Sequence, residues 1–200
     1  MARTADALRD LGDRKIGLPK KRLRRLDAPL DDVAMRRYTR GCAKRMGDDQ
    51  PPGELNRVAR AGLDFGFPWY GGGHTRTNEY KNETPPAGVV FPEVEQVAHA
   101  ADLGLMFYTG SMFPEKYRGA IFSAQHGSWN RTVPVGARVL VTFVKEDGHV
   151  AGKSEPFAEG WNENGYYLGR PVDVAQMHDG SLLVSDDLVG ALYRIWYDGK

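Results

Sequence analysis

Apolar and polar positions along this chain change over in short runs, at the two-residue period of strands. Leu105-Met106-Phe107-Tyr108-Thr109, Ala120-Ile121-Phe122-Ser123-Ala124 and Arg138–Val144 are rich in apolar, β-branched and aromatic residues, as strands require. Asp147-Gly148 follows the last of these, and His149-Val150-Ala151 is expected to begin a returning strand. Val172–Ala175 and Ser181–Ser185 flank Asp179-Gly180, and the alternating Ala191–Tyr197 runs into Asp198-Gly199. Asp-Gly between such runs predicts tight hairpins. Residues 170–197 thus read as strand, turn, strand, short link, strand, which is most of a four-stranded propeller blade. Residues 105–150 give a second set. Useful helical periodicity is absent, and an all-β sandwich, barrel or propeller is expected, with the propeller favoured.

Upstream the pattern is less regular. Asp48–Glu54 is a loop rich in turn formers, and Leu55–Ala61 is a short amphipathic stretch. Phe65–Tyr70 packs aromatics around Gly66 and Pro68 before a run of three glycines, which excludes a regular helix there. Residues 73–87 read as a long polar loop that ends in a short strand, Gly88–Phe91.

Composition agrees with a folded chain. Of 200 residues 41% are hydrophobic and 10% aromatic, enough for a packed core, and 24 glycines and 12 prolines suit many turns. The single cysteine, Cys42, excludes an intramolecular disulfide and a cysteine-only metal site. No apolar run is long enough for a membrane-spanning helix, and the first nineteen residues hold no apolar block of the signal-peptide kind. His74, His99, His149 and His178 lack zinc-ligand spacing. Asn82-Glu83-Thr84 and Asn130-Arg131-Thr132 match the glycosylation pattern, which matters only in a secretory eukaryotic context.

The net charge of +1 conceals a boundary. Residues 1–45 carry 14 Lys/Arg and 6 Asp/Glu, whereas residues 46–200 carry 13 and 20. The basic segment includes Lys20-Lys21-Arg22-Leu23-Arg24-Arg25, and Thr4–Leu11 and Leu30–Arg40 have the composition of short helices. Neither has an apolar stripe wide enough to order itself, so a basic, poorly ordered or helical extension is expected. Without aromatic interleaving or a nucleic-acid-binding fold, the cluster reads as a solvated tail and not as a nucleic-acid surface.

Seven stretches carry a family resemblance. They are M-G-D-D-Q-P-P-G-E-L-N (46–56), F-G-F-P-W (65–69), F-Y-T-G-S-M-F-P (107–114), H-G-S-W-N-R (126–131), E-P-F-A-E-G-W (155–161), G-R-P-V-D-V (169–174) and D-G-S-L-L-V-S-D-D (179–187). In this order, residues 46–200 resemble the C-terminal half of the pyrroloquinoline quinone (PQQ)-dependent sugar dehydrogenases, in the L-sorbosone or glucose/sorbosone dehydrogenase branch. The resemblance implies a six-bladed β-propeller of which about three blades are present. It also implies PQQ over the central axis, a calcium ion (Ca2+), and oxidation of a sugar or sugar aldehyde. It stops before Met46, where Arg40–Arg45 do not follow the family's glycine-containing loop. Family members are longer chains and supply a catalytic histidine from their N-terminal part. A truncated or rearranged member is therefore expected, with residues 1–45 unrelated to the propeller. Open blades would leave edges that favour self-association.

PQQ offers carboxylates and an electrophilic quinone, so its site needs cations, a hard metal and a base. Arg170, between Gly169 and Pro171, has the planar fork that suits carboxylates. The resemblance places it in the family's cofactor-facing arginine loop, with Val172 where a second arginine stands. His126, in a Gly/Ser/Trp-rich turn, is the catalytic candidate for proton transfer. Trp129 either stacks on the quinone or fills a blade junction, and Asn130 and Arg131 either hold cofactor or cap the turn. Tyr108 and Thr109 either line the axis or end a strand. Asp48 and Asp49 are oxygen donors for Ca2+, which two carboxylates alone do not satisfy. Asp186 and Asp187 read as turn residues bonding backbone amides.

The reading is PQQ-dependent oxidation of an aldose or sorbosone-like aldehyde, with electrons passed to an unidentified acceptor. The alternatives are a non-catalytic propeller fragment or binding module, and a propeller hydrolase that would need more acidic ligands. The resemblance implies a periplasmic or secreted enzyme, whereas the chain as given, with no signal peptide, is expected in the cytoplasm.

Overall fold

Every residue of Ile121–Gln125 is buried, as happens when a strand is covered on both faces. That strand is the centre of the protein. The computed structural model describes residues 32–35 and 46–199. In chain order the strands are β1 (Asp32–Met35), β2 (Gly53–Val58), β3 (Tyr70–Gly72), β4 (Thr75–Arg76), β5 (Val94–Gln96), β6 (Asp102–Phe107), β7 (Ile121–Gln125), β8 (Arg138–Thr142), β9 (Glu155–Ala158), β10 (Asn162–Glu163), β11 (Tyr166–Tyr167), β12 (Pro171–Gln176), β13 (Leu182–Asp186) and β14 (Ala191–Ile195). Among the described residues the one helical element is a 3-10 turn, Glu115–Tyr117. No described helix is long and apolar enough to cross a membrane.

Three sheets are arranged as blades, ordered β1-β2-β5, β6-β7-β8-β9 and β12-β13-β14, and two small hairpins, β3-β4 and β10-β11, stand beside them. The middle blade is a four-stranded antiparallel meander whose neighbours are neighbours in sequence. The third has a Pro171–Gln176, Leu182–Asp186, Ala191–Ile195 meander with the tight turn at Asp179-Gly180 that the sequence predicts. Gly180 has φ +86°, and the Asp179 carboxylate accepts from the Ser181 amide at 3.0 Å.

Two cores join the blades. Between the second and third lie Phe122, Val139, Val141, Val174, Leu182 and Val184, with an aromatic cluster around Phe113 and Phe157. Each such side chain contributes about 1.5–3 kcal/mol when removed from water. Between the first and second lies a smaller cluster, Leu55, Val94 and Ile121, flanked by Leu105, Phe107, Val144 and Val150.

Several expectations need correction. Within Leu30–Arg40, residues Asp32–Met35 form a strand and not a helix, and β1 pairs along its length with β2, so the first sheet crosses the charge boundary. The Leu55–Ala61 stretch belongs mostly to β2. Gly88–Phe91 forms only an isolated bridge from Val89 to Asp64, and His149–Ala151 only one from Val150 to Val144. The fourth strand of the middle blade is instead Glu155–Ala158. The 73–87 loop begins with β4, paired to β3. Thr4–Leu11 and the 20–25 cluster lie outside the described residues.

Candidate functional site

Register decides which candidates meet. Asp102 pairs with Gln125 and Gln125 with Arg138, so the start of β6, the end of β7 and the start of β8 share one end of the middle blade. Pro171 pairs with Asp186 at the matching end of the third blade. The segments that leave these ends carry His126, Trp129, Asn130, Arg131, Arg170 and Asp187.

Arg170 is the centre of the arrangement. Its Nε donates to the His126 carbonyl at 3.1 Å, and Nη2 donates to the carbonyls of Gly127 and Ser128 at 2.6 and 2.8 Å. The guanidinium lies 4.7 Å over the Tyr167 ring. Three successive carbonyls turned toward one cation neutralise one edge of it and fix its plane. Nη1 has no protein partner among the described residues, so one edge of the fork remains for an anion. The loop can turn its carbonyls this way because Gly127 has φ +100°, a conformation that L side chains rarely adopt.

His126 is mostly enclosed, its side chain 19% exposed, and its Nε2 is 2.8 Å from the Asp187 carboxylate. Its backbone amide bonds to the Ala101 carbonyl. A carboxylate accepts only, so Nε2 carries the proton and Nδ1 keeps the lone pair in the neutral ring. Tyr167 braces the other side: its hydroxyl reaches Ser128 Oγ at 3.0 Å and donates to the Val135 carbonyl at 2.9 Å. Trp129 is 60% exposed, so it does not fill a blade junction. The Asn130 amide oxygen is buried without a partner.

Arg131 and the Asp48-Asp49 pair come together, but with each other. Arg131 donates to the Asp48 carbonyl and, at 3.0 Å, to the Asp49 carboxylate. The Thr132 amide donates to the Asp48 carboxylate at 2.8 Å. That bond, aided by the Arg131 charge, holds the Asp48 carboxyl below its usual range. These contacts tie the segment before β2 to the loop after β7. Arg131 therefore acts as a clasp whose cation is already occupied.

Tyr108 and Thr109 lie at the other end of the blades, past Phe107, which pairs with Ile121. Tyr108 is fully buried in the larger core. Its hydroxyl donates to the Gly180 carbonyl at 2.8 Å and accepts from the Met112 and Phe113 amides. The Thr109 amide donates to Gln176 Oε1 at 2.8 Å. Both hold the distal turns together, so neither lines the site with His126 and Arg170.

Nothing in the sequence marks Tyr167, and from the sequence Asp187 reads as a turn residue. Asp186 does have that turn role, accepting from the amides of Leu188 and Val189. Asp187 points instead to His126. The adjacent pair of acids was the available signal, since one carboxylate suffices for the turn.

PQQ and calcium place different demands on this set. The free edge of Arg170 suits a ligand that bears carboxylates. Calcium needs six to eight oxygens, and among the described residues no three His, Cys, Asp or Glu side chains gather to hold a metal ion. Asp48 and Asp49 bond to Thr132 and Arg131, so among the described residues these two carboxylates do not by themselves make a calcium site.

No family model matches the chain. An uncharacterized protein of Borreliella burgdorferi is 34% identical over 155 residues, which covers 76% of this chain and 41% of that protein. The chain thus spans about two fifths of that relative's length. Among solved structures, the holo form of the PQQ domain of pyranose dehydrogenase from Coprinopsis cinerea superposes with TM-score 0.54 and 21% identity, covering 74% of this chain and 44% of that one. The calcium structure of the Trichoderma reesei carbohydrate-active enzyme of family AA12 gives 0.54 and 18%, covering 75% and 44%. A glucose dehydrogenase gives 0.50 and 21%, covering 74% and 38%. At these identities the likeness shows the fold, an all-β partial propeller.

Proposed function

We propose that residues 46–200 form part of a PQQ-dependent sugar dehydrogenase, in which the loops around Arg170 hold the cofactor and a sugar or sorbosone-like aldehyde is oxidised beside it. The observation that carries this reading is the cradle of Arg170, a guanidinium fixed by three backbone carbonyls with one edge left over. The holo PQQ domain and the glucose dehydrogenase of the same fold support it, as do the seven ordered sequence stretches.

When bound, PQQ supplies a two-electron acceptor. Arg170 binds one of its carboxylates through Nη1. Tyr167 keeps the guanidinium plane in place, and Trp129 offers an exposed aromatic face beside the loop. His126 takes the substrate hydroxyl proton at Nδ1, while Asp187 receives the Nε2 hydrogen bond and stabilises the resulting imidazolium. No step is assigned to calcium, because the described donors do not make its site. The finer assignments, to the sorbosone branch and to an exported enzyme, rest on the sequence resemblance.

Titration of the protein with PQQ, followed by tryptophan fluorescence, tests the site. Saturable quenching is expected, weakened at least tenfold in Arg170→Gln, a loss of about 1.4 kcal/mol. PQQ-dependent dye reduction with aldoses or sorbosone is expected to fall in His126→Asn while binding persists. Absence of binding at about 100 µM, about 5.5 kcal/mol of affinity, refutes the proposal. Binding without turnover leaves the non-catalytic binding module as the correct reading.

A further inference from the structure

The β10-β11 hairpin turns on Asn164-Gly165. Glu163 pairs with Tyr166, so these two residues alone make the turn. Asn164 has φ +50° and Gly165 φ +85°, the left-handed pair that a type I′ hairpin requires. The position is also chemically singular. Asn164 is the one asparagine of the sequence followed by glycine, and every other precedes Arg or Glu. Asparagine is among the labile side chains, and its ordinary reaction is attack on its side-chain carbonyl carbon by the next backbone nitrogen. A side chain on the next residue crowds that ring closure, and glycine carries none. Asn164 itself is exposed to water and hydroxide.

The nucleophile, in contrast, is held. The Gly165 amide donates to Asn162 Oδ1 at 3.1 Å. That nitrogen attacks only after losing its proton, and in the closed hairpin the proton points to Asn162 and not to solvent. The loop after β7 stands close by, since a Cβ on Gly165 would meet the Pro134 ring at 3.6 Å. The hairpin thus presents a reactive pair whose attacking atom is masked by one side chain.

We propose that Asn164 is a site of spontaneous conversion to aspartate and isoaspartate, and that the Asn162 side chain sets its rate. The Gly165 amide proton leaves to hydroxide, and the nitrogen bonds to Asn164 Cγ. The bond from Cγ to the side-chain nitrogen breaks, and that nitrogen departs as ammonia with a proton from water. Water then opens the cyclic imide at either carbonyl, giving aspartate or isoaspartate, so one water is consumed and one ammonia released with no change of oxidation state. Isoaspartate routes the main chain through the former side chain and lengthens it by one carbon. The two-residue turn then no longer sets Glu163 opposite Tyr166. Tyr167, which pairs with Asn162, carries the ring and hydroxyl that steady Arg170, Ser128 and Val135, so conversion loosens the loop after β7. The proposal uses the hairpin alone and does not depend on cofactor binding.

Incubation of the intact protein at mildly alkaline pH, followed by mass spectrometry of the peptide that spans the hairpin, tests it. The expected result is a gain of one mass unit at Asn164, with isoaspartate among the products, at least tenfold slower in the folded protein than in urea. Asn162→Ala is expected to convert at least fivefold faster than the wild type in the folded state. Asn162→Asp keeps an acceptor for the Gly165 amide and stays near the wild-type rate. Asn82, exposed but followed by Glu83, is the control and does not respond to either variant. Hydrogen exchange of residues 127–136 is expected to rise in the converted protein. Equal rates in the folded protein and in urea, an Asn162→Ala rate no faster than wild type, an Asn162→Asp rate as fast as Asn162→Ala, or unchanged exchange after conversion would each overturn the proposal. If Asn162→Ala alters the circular dichroism, the comparison of folded and urea-unfolded wild type decides.

Discussion

At the scale of single residues, a few polar groups set the geometry of the candidate site, and each does so by directing backbone atoms. Tyr167 shows this well. Its ring supports Arg170, while its hydroxyl holds Ser128 and Val135, the two ends of the turn that faces Arg170. Tyr167→Phe keeps the ring and removes both bonds, so it is expected to cost roughly 1–2 kcal/mol in urea unfolding. Its larger effect falls on PQQ affinity, because the turn carbonyls lose their bracing. Tyr167→Ala also removes the aromatic face and should weaken binding further than Tyr167→Phe. Equal effects of the two variants would show that the ring contributes nothing. Neither Tyr167 nor Asp187 could be placed from the sequence, because their partners lie 39 and 61 positions away, at Ser128 and His126. Arg170 and His126 were legible because Gly and Pro beside Arg170, and Gly-Ser-Trp after His126, mark loops at strand ends.

At the scale of elements, strands with one apolar face and an Asp-Gly turn were legible, and those whose buried face is polar were not. β12 and β13 follow the alternation rule and were found. In β2 the buried residues include Glu54 and Asn56, with Glu54 receiving the Gly73 amide at 2.7 Å. A strand that buries polar groups against a hairpin hides its pattern from a hydrophobicity reading. β9 contains Pro156 and stands at the edge of its sheet, where proline is tolerated but strand propensity is weak. The end of the blade that each residue faces is likewise a matter of register, which is why Tyr108 and Thr109 were grouped with residues at the far end. Packing between elements gives a sharper test at Gly104. β6 passes so close to β12 there that a Cβ would overlap the Asp173 carboxylate and lie 2.7 Å from the Asp173 Cα. Gly104→Ala is expected to lower stability by roughly 1–3 kcal/mol, the usual range for overpacking. Gly119→Ala, where a Cβ meets nothing within 4 Å but φ is +78°, separates backbone strain from crowding. A larger loss at Gly119 than at Gly104 would mean that the β6–β12 approach is looser than described.

At the scale of the whole molecule, the junction between the first and second blades is the weaker one. Its apolar cluster is small, and polar groups surround it. Gln96 donates to Ser154 at 2.9 Å, Arg138 donates to Gln125 at 2.8 Å, and Arg131 clasps Asp48 and Asp49. Asp102 lies within this junction, against Gly53 of the first blade, and its Oδ1 is buried without a partner. Burial pushes its carboxyl up to about 6, and hydrogen bonding by Gln125 and the Arg138 charge offset this only in part. The sign of the consequence follows from linkage. Between the ordinary carboxyl range and about 6 the folded protein holds a proton that the unfolded chain has released, so stability falls as pH rises through that interval. Above it, both states are ionised and the full cost of the buried carboxylate remains, up to about 3 kcal/mol. Asp102→Asn removes the charge while keeping the shape. Urea unfolding at about pH 4.5 and about pH 7.5 should therefore show the variant more stable than the wild type at the higher pH, with the gap narrowing at the lower. Because Asp102 meets the first blade, the change should appear in hydrogen exchange of β2 and β5 before it reaches β12–β14. A gap that widens on acidification would mean that Asp102 is ionised and well paired in the folded protein, and that the seam between the first two blades is held by its charge.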